Sequence, residues 1–317
     1  MELLAHGATL AFAWFLAVNV SASILVIGVA RMLTQRSDPR STWFWLALRL
    51  LPAAAATSFV LFLFVPSYWR YEPREFVEGF DLSLIVLACC AGTIIAGGAA
   101  RGVHAWRSTA RRTRRWLQDG RPIRIAGTDL PAFEIEASQP MLALAGVVRP
   151  KLLVTRGLID ALTPAELHAA IAHELGHFRA LDNLKRLVLR AAPDVLAYSG
   201  VARAIERQWA SAAEHAADRH AGHDGAARCA LASALLKVAR LTPRQVPSLE
   251  PISTFIPGGE IASRVRQLLD DSAGAPRSRW LPPVLTMTAG LAALVMAYAP
   301  LLRLVHEATE LVVHTLP

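Results

Sequence analysis

The sequence predicts a multi-pass α-helical membrane protein with one additional α+β, mostly helical domain set between its third and fourth spans. Three observations carry that prediction. Of the 317 residues 54% are hydrophobic and only 18% charged, against the usual quarter or so for a soluble domain. The apolar excess comes in long blocks rather than at helical or strand period, and arginines gather at the ends of those blocks. Between the third and fourth blocks the pattern changes to short strand-like runs followed by amphipathic helices. Disorder and collagen-like structure are excluded by the same composition. Cys89, Cys90 and Cys229 form neither a zinc-ribbon spacing nor an even disulfide framework, and adjacent Cys89 and Cys90 read as small apolar residues of a span.

Four stretches are long enough to cross a hydrocarbon core of about 30 Å, which needs roughly 20 helical residues. They are Leu10–Val29, Trp43–Val65, Leu82–Ala100 and Leu281–Leu302. The first has Glu2 and no basic residue ahead of a long apolar run, so it reads as a retained helix rather than a secretory signal. Arg49 lies inside the second, near the end that follows Arg40, and is expected to snorkel to the interface. In the third, Gly92, Ala96 and Ala100 form a small-residue stripe, which suggests close packing within the bundle.

Orientation follows from the arginines, because cytoplasmic flanks are enriched in them. Arg101, Arg107, Arg111, Arg112, Arg114 and Arg115 follow the third span, and Arg277 and Arg279 precede the fourth. Arg31, Arg36 and Arg40 mark a cytoplasmic loop, and Ser67–Phe80 falls outside with mixed charge. Both termini are then external and the middle domain cytosolic. The net charge of +8 is almost all arginine. A basic run beside a span is explained by anionic lipid, so the lipid bilayer is the expected partner and nucleic acid is not. The boundaries are residues 1–100 for a three-helix membrane region, 101–120 for a basic linker, 121–279 for the cytosolic domain, 280–303 for the fourth helix and 304–317 for a short external tail.

Within the domain, Ile123–Ala126, Ala132–Glu136, Leu142–Val148 and Lys151–Thr155 read as strands punctuated by Gly, Pro and Asp. Thr163-Pro164-Ala165-Glu166 is a capping box with proline at the first helical position, opening a helix over Ala165–Phe178. That helix holds His173-Glu174-Leu175-Gly176-His177. Histidines four apart share one helical face, so both imidazoles can reach one zinc ion with the glutamate beside them.

A hydrolytic zinc site needs a third protein ligand. A histidine six residues after His177 would be the metzincin solution, but that position is Asn183. A carboxylate from a later helix is the remaining choice. Glu214 and Asp218 lie four apart on one face: Glu214 is taken as the third ligand, and Asp218 as the partner that orients a ligand histidine or a nearby backbone group. Taken alone, that pair reads as a solvated helical face. His220 and His223 are candidate donors to the reaction oxyanion, while His168 and His215 read as surface residues.

These residues resemble integral-membrane zinc peptidases of the gluzincin type. Lys151–Leu158, Leu162–Leu167 and His173–His177 are similar to the shared core of two families, one holding the prenyl-protein and HtpX-type proteases and the other the BlaR/MecR-type antirepressor peptidases. Phe178–Leu184 and the arrangement of three spans before the domain and one after resemble the second, and Glu214–Arg219 is similar to the ExxxD element of both. Ala262-Ser263-Arg264-Val265 is a faint match to a helix late in the domain. The resemblance implies a zincin-like cytosolic metallopeptidase domain, one zinc ion (Zn2+) per chain, a protein or peptide substrate and a bacterial inner membrane. It also implies regulatory proteolysis of a repressor or membrane-protein quality control. One departure is that no large external sensor domain is expected after Leu302. The expected activity is zinc-dependent endopeptidase chemistry, with Glu174 as general base. The stretch Leu142–Val148 has two readings of equal weight, an edge to which an extended substrate adds as a strand and a packed structural strand. The alternative is a catalytically inactive membrane regulatory or binding protein with a structural metal site. Oligomeric state stays open.

Overall fold

A computed structural model of the chain describes residues 2–33, 41–71, 82–125, 128–137, 140–241, 252–254, 261–270, 297–311 and 313. The loop holding Arg36 and Arg40, most of Ser67–Phe80, Arg277, Arg279 and the greater part of the expected fourth span lie outside these residues.

Among the described residues three helices are long and apolar enough to cross a membrane. Helix α1 is Glu2–Leu33. Helix α2, Thr42–Phe59, passes through a π-helical turn at Val60–Phe64 into α3, Val65–Tyr71, to make one continuous rod. Pro66 has no N–H to offer the carbonyl one turn back, that of Phe62, and the Tyr298 hydroxyl donates to that oxygen at 2.8 Å. Helix α4, Leu82–Gln118, runs unbroken through the arginine-rich stretch, so its basic end is a continuation of the apolar helix rather than a separate linker.

Residues 297–311 are helical, so the last helix continues beyond Leu302. It packs where α1, α3 and α4 meet: Leu10, Phe64, Leu84 and Val305 share one buried cluster. Trp14 donates to Thr309 Oγ1 at 3.1 Å and Ser67 to the Leu302 carbonyl at 2.7 Å.

Past α4 the chain forms β1 (Arg121–Ile123), β2 (Ala132–Ile135), β3 (Leu142–Ala145) and β4 (Lys151–Thr155). Five helices follow: α5 (Arg156–Ala161), α6 (Pro164–Arg179), α7 (Asp182–Ala191), α8 (Gly200–Ala221) and α9 (Gly225–Leu241). A 3-10 turn, Val195–Tyr198, joins α7 to α8. Strand β5, Ile252–Thr254, and helix α10, Ile261–Leu269, complete the domain.

The sheet order is β1-β2-β4-β3-β5, with β2 parallel to β4 and the other neighbours antiparallel. β3 is therefore an interior strand. Of the two readings of Leu142–Val148 the packed structural strand is the one found, and substrate addition at that edge is corrected, because β5 already pairs with it through Ala143 to Thr254 and Ala145 to Ile252. One face of the sheet packs on α6 and α9 through Leu142, Leu152, Val154, Ala170, Leu231 and Leu235. Alanines at 169 and 170 let α6 lie close to that face.

The domain packs directly on the long apolar helices. Val26 of α1 and Trp45 and Leu48 of α2 share one buried cluster with Leu189, Ile205 and Trp209 of α7 and α8. Asn19, Arg49 and Arg101, one from each of the three long apolar helices, converge on the α7–α8 connection. Asn19 of α1 donates to the Pro193 carbonyl and accepts from the Val195 N–H, each at 3.0 Å. Arg101 of α4 donates to the Ala192 carbonyl at 2.9 Å and to the Tyr198 hydroxyl at 2.8 Å.

Arg49 corrects the snorkelling expectation. It is 1% exposed and donates from Nη1 to Asp194 Oδ2 at 2.8 Å and from Nε to Glu206 Oε1 at 2.9 Å. A guanidinium with two carboxylates in reach gains more from them than from a path to the interface.

The close approach in α4 also differs from the expected stripe. Ala96 and Ala100 are exposed and nothing lies near a Cβ at Gly92. Gly98 and Gly102 make the contact instead: a Cβ there would stand 2.7 Å from the Ala191 carbonyl oxygen and 2.7 Å from Ala191 Cβ.

Candidate metal centre

Helix α6 is fixed at its start by the capping box. Thr163 Oγ1 accepts from the Glu166 N–H at 3.3 Å, and Glu166 Oε2 accepts from the Thr163 N–H at 2.8 Å. Glu166 also accepts from Ser233 at 2.6 Å and Lys237 at 2.7 Å, which docks α9 on the cap. Burial opposes the charge on Glu166, but Lys237, Ser233 and Thr163 outweigh it and hold the carboxyl at about 2 against an ordinary 4.5.

Two turns further on, His173 and His177 are buried and point their Nε2 atoms at each other across 3.2 Å. Glu214 of α8 closes the triangle, with Oε2 3.5 Å from His173 Nε2 and Oε1 3.5 Å from His177 Nε2. Ligand atoms of all three residues lie within 4.8 Å of one another. Gly176 permits this, since a Cβ there would meet Ala217 Cα of α8 at 3.1 Å.

Both outward ring nitrogens face a carboxylate. His173 Nδ1 lies 2.9 Å from Asp218 Oδ1, and His177 Nδ1 lies 2.8 Å from Asp182 Oδ2. A carboxylate on Nδ1 keeps the proton there and turns the Nε2 lone pair inward, which is the arrangement found around histidines that ligate metals. The donor set of two imidazole nitrogens and one carboxylate suits zinc and leaves a position open.

Sequence reasoning placed Asp218 beside a histidine and missed Asp182. No turn residue signals it, because the break that returns this carboxylate five residues after His177 falls in Phe178-Arg179-Ala180-Leu181, which has no Gly, Pro or Asn. The break is made by Leu181, at φ 56° and ψ 36°, the one positive-φ residue other than glycine among the described residues. Asn183 then donates to the carbonyls of Leu144 and Gly146, each at 3.0 Å, tying α7 to the end of β3.

Arg264 of α10 was also missed as a site residue. It is buried, with Nη1 3.0 Å from Glu214 Oε2 and Nε donating to Asp218 Oδ2 at 2.7 Å. Only contact across the fold reveals it, since 46 residues separate it from Asp218.

The charges reinforce one another. Burial works against protonating His173, yet Asp218 and Glu214 overcome it and raise the imidazole to about 9. Glu214 is held far below the usual carboxylate range: burial opposes the charge, and His177, His173 and Arg264 more than offset it. Asp218 is lowered despite burial by hydrogen bonds with His173 and Arg264. Glu214 and Asp218 are thus both favoured in their ionised forms.

Glu174 is fully buried on α6 between the two histidines in sequence. His220 and His223 line a cavity of about 330 Å³ with His168, Ala172, Leu175 and Arg179, and Arg179 Nη1 lies 2.9 Å from His220 Nε2. His223 also lines a second cavity beside Asp218 and Arg264. Positions 168, 172, 175 and 179 form a stripe of α6 roughly opposite the face of 173 and 177.

The sequence model of peptidase family M48, a family of metallopeptidases, matches residues 113–211. The match takes in the end of α4, β1 to β4, α6 with both histidines and Glu174, α7 with Asp182, and α8 as far as Ser211. It stops before Glu214 and Asp218. No curated protein matches the chain.

Proposed function

We propose that the chain is a multi-pass membrane protein and a zinc-dependent endopeptidase, which hydrolyses peptide bonds of a protein substrate at the cytosolic membrane face. The observation that carries this reading is the triangle of His173, His177 and Glu214, with Asp218 and Asp182 on the outward nitrogens of the two imidazoles. The match of residues 113–211 to a metallopeptidase family supports it.

When bound, zinc supplies a Lewis acid that activates water near neutral pH and polarises a carbonyl. The chain's own residues do the rest. Asp218 and Asp182 hold the Nδ1 sides of His173 and His177, so both Nε2 atoms face the metal position without reorientation of the rings. Arg264 grips Glu214 and Asp218 together and holds the third ligand's carboxylate in place. Glu174 accepts the proton of the attacking water and later delivers it to the leaving amine.

The arginine pattern supports a cytosolic domain in a bacterial inner membrane. The contacts of Asn19, Arg49 and Arg101, which join three apolar helices to the one α7–α8 connection, support a domain held against the bundle. The resemblance of Phe178–Leu184 favours an antirepressor-type role, with membrane-protein quality control as the other role that the gluzincin core supports.

The test is cleavage of unfolded casein by the purified full chain and its Glu174→Gln variant. The variant is expected to retain zinc and lose hydrolysis. Activity that survives in it removes Glu174 as the base.

A further inference from the structure

The two elements that orient the metal site are each moored to a different membrane helix. Helix α7 carries Asp182, the partner of His177, and its far end is held on α4 by Arg101 and the close approach at Gly98 and Gly102. Helix α8 carries both Glu214 and Asp218, and it is held on α2 by Arg49 through Glu206.

We infer that Arg49 is a positioning residue for the metal centre: from within the apolar helix α2 it fixes where α8 presents Glu214 and Asp218 to the two histidines. The inference rests on the metal reading above.

Glu206 and Glu214 lie on one helix about two turns apart, a rise of about 12 Å. The first half of α8 packs on α2 through Ala202, Ile205 and Trp209, and the second half packs on α6 through Ala217. Apolar contacts such as those of Ile205 and Trp209 are non-directional and tolerate a slide along the helix axis. Arg49 removes that freedom. Its Nε hydrogen bond to Glu206 sets α8 along its axis, and its Nη1 bond to Asp194 sets the turn that leads into α8. Asp194 in turn caps that turn, accepting from the Ala197 N–H at 2.7 Å. The planar guanidinium holds both carboxylates at fixed angles, which a point charge does not. Because α8 is a continuous helix, a displacement at Glu206 arrives at Glu214, where the zinc ligands need placement to a fraction of an ångström.

The experiment measures zinc affinity of the full chain in lipid nanodiscs by competition with a chromophoric chelator, alongside helix content and thermal unfolding. Four proteins form a cycle: wild type, Arg49→Met, Glu214→Ala and the double variant. Arg49→Met is expected to fold and to bind zinc at least tenfold more weakly. In its background Glu214→Ala should cost much less than in the wild type, because the ligand it removes is already misplaced. Should Arg49→Met alone fail to fold with two unpaired buried carboxylates, the Arg49→Met/Asp194→Asn/Glu206→Gln variant replaces it in the same cycle. A folded variant with wild-type affinity, or losses that add in full, overturns the positioning role. Wild-type protein that binds no zinc overturns the metal reading beneath it, and His173→Ala separates the two cases by losing zinc whatever Arg49 does.

Discussion

His177 Nδ1 and Asp182 Oδ2 meet at 2.8 Å across the break between α6 and α7. The contact makes the end of one helix and the start of the next parts of one site, and it gives His177 the same kind of support that Asp218 gives His173. Asp182→Asn is nearly isosteric and keeps the hydrogen bond while losing the charge. It is expected to weaken zinc binding about 10- to 100-fold with helix content unchanged. Chelator competition measures it, and unchanged affinity would dismiss Asp182 as a supporting group.

Leu181 makes that break at φ 56° while leaving its side chain 54% exposed. A left-handed backbone costs a non-glycine residue about 1–2 kcal/mol. Leu181→Gly should therefore raise the unfolding free energy by about 1 kcal/mol, the relief being partly offset by glycine's greater freedom in the unfolded chain. Denaturant unfolding in micelles is the measurement, and a loss of stability would mean that the leucine side chain contributes more than its strained backbone costs.

Gly176 holds α6 against Ala217 of α8. Gly176→Val puts a branched side chain where a bare Cβ already stands 3.1 Å from Ala217 Cα, so the helices must part or strain by about 1–3 kcal/mol. Zinc affinity is expected to fall sharply while the capped start of α6 survives. A variant that binds zinc as the wild type does would show that the helices part without moving Glu214.

Glu166 predicts an acid limb in stability. Its folded-state value of about 2 lies below the ordinary 4.5, so the charged form is favoured by folding. That contribution is present above about 4.5 and is lost as pH falls from there towards 2. Glu166→Gln should cost about 1–3 kcal/mol at neutral pH and flatten the decline between those values. Unfolding curves taken across that range decide it, since an unaltered slope would assign the acid limb to other carboxylates.

What was legible in the sequence was local. The capping box at Thr163, the two histidines on one face of α6 and the strands at Ala132–Glu136 and Lys151–Thr155 need only neighbouring residues and stand within a residue of where spacing put them, whereas β1 shares only Ile123 with the expected Ile123–Ala126 and β3 ends at Ala145, three residues before Val148. Glu214 was reachable because a two-histidine site requires a further ligand, and a carboxylate pair at helical spacing satisfies both roles. The rest depended on contacts made far along the chain. Arg49 looks like an interfacial arginine until Asp194 and Glu206, 145 and 157 residues away, are seen against it. β5 takes the edge beside β3 from beyond residue 250, which no pattern within Leu142–Val148 discloses. Gly98 and Gly102 rather than Gly92 make the close approach, because the partner is α7 of the domain and not another span.

Whether His173, His177 and Glu214 hold one zinc ion is decided by elemental analysis of purified wild type, His173→Ala and Glu214→Ala. About one zinc per wild-type chain is expected, lost or much weakened in both variants. A folded wild type without metal, or full zinc retention in Glu214→Ala, would contradict it.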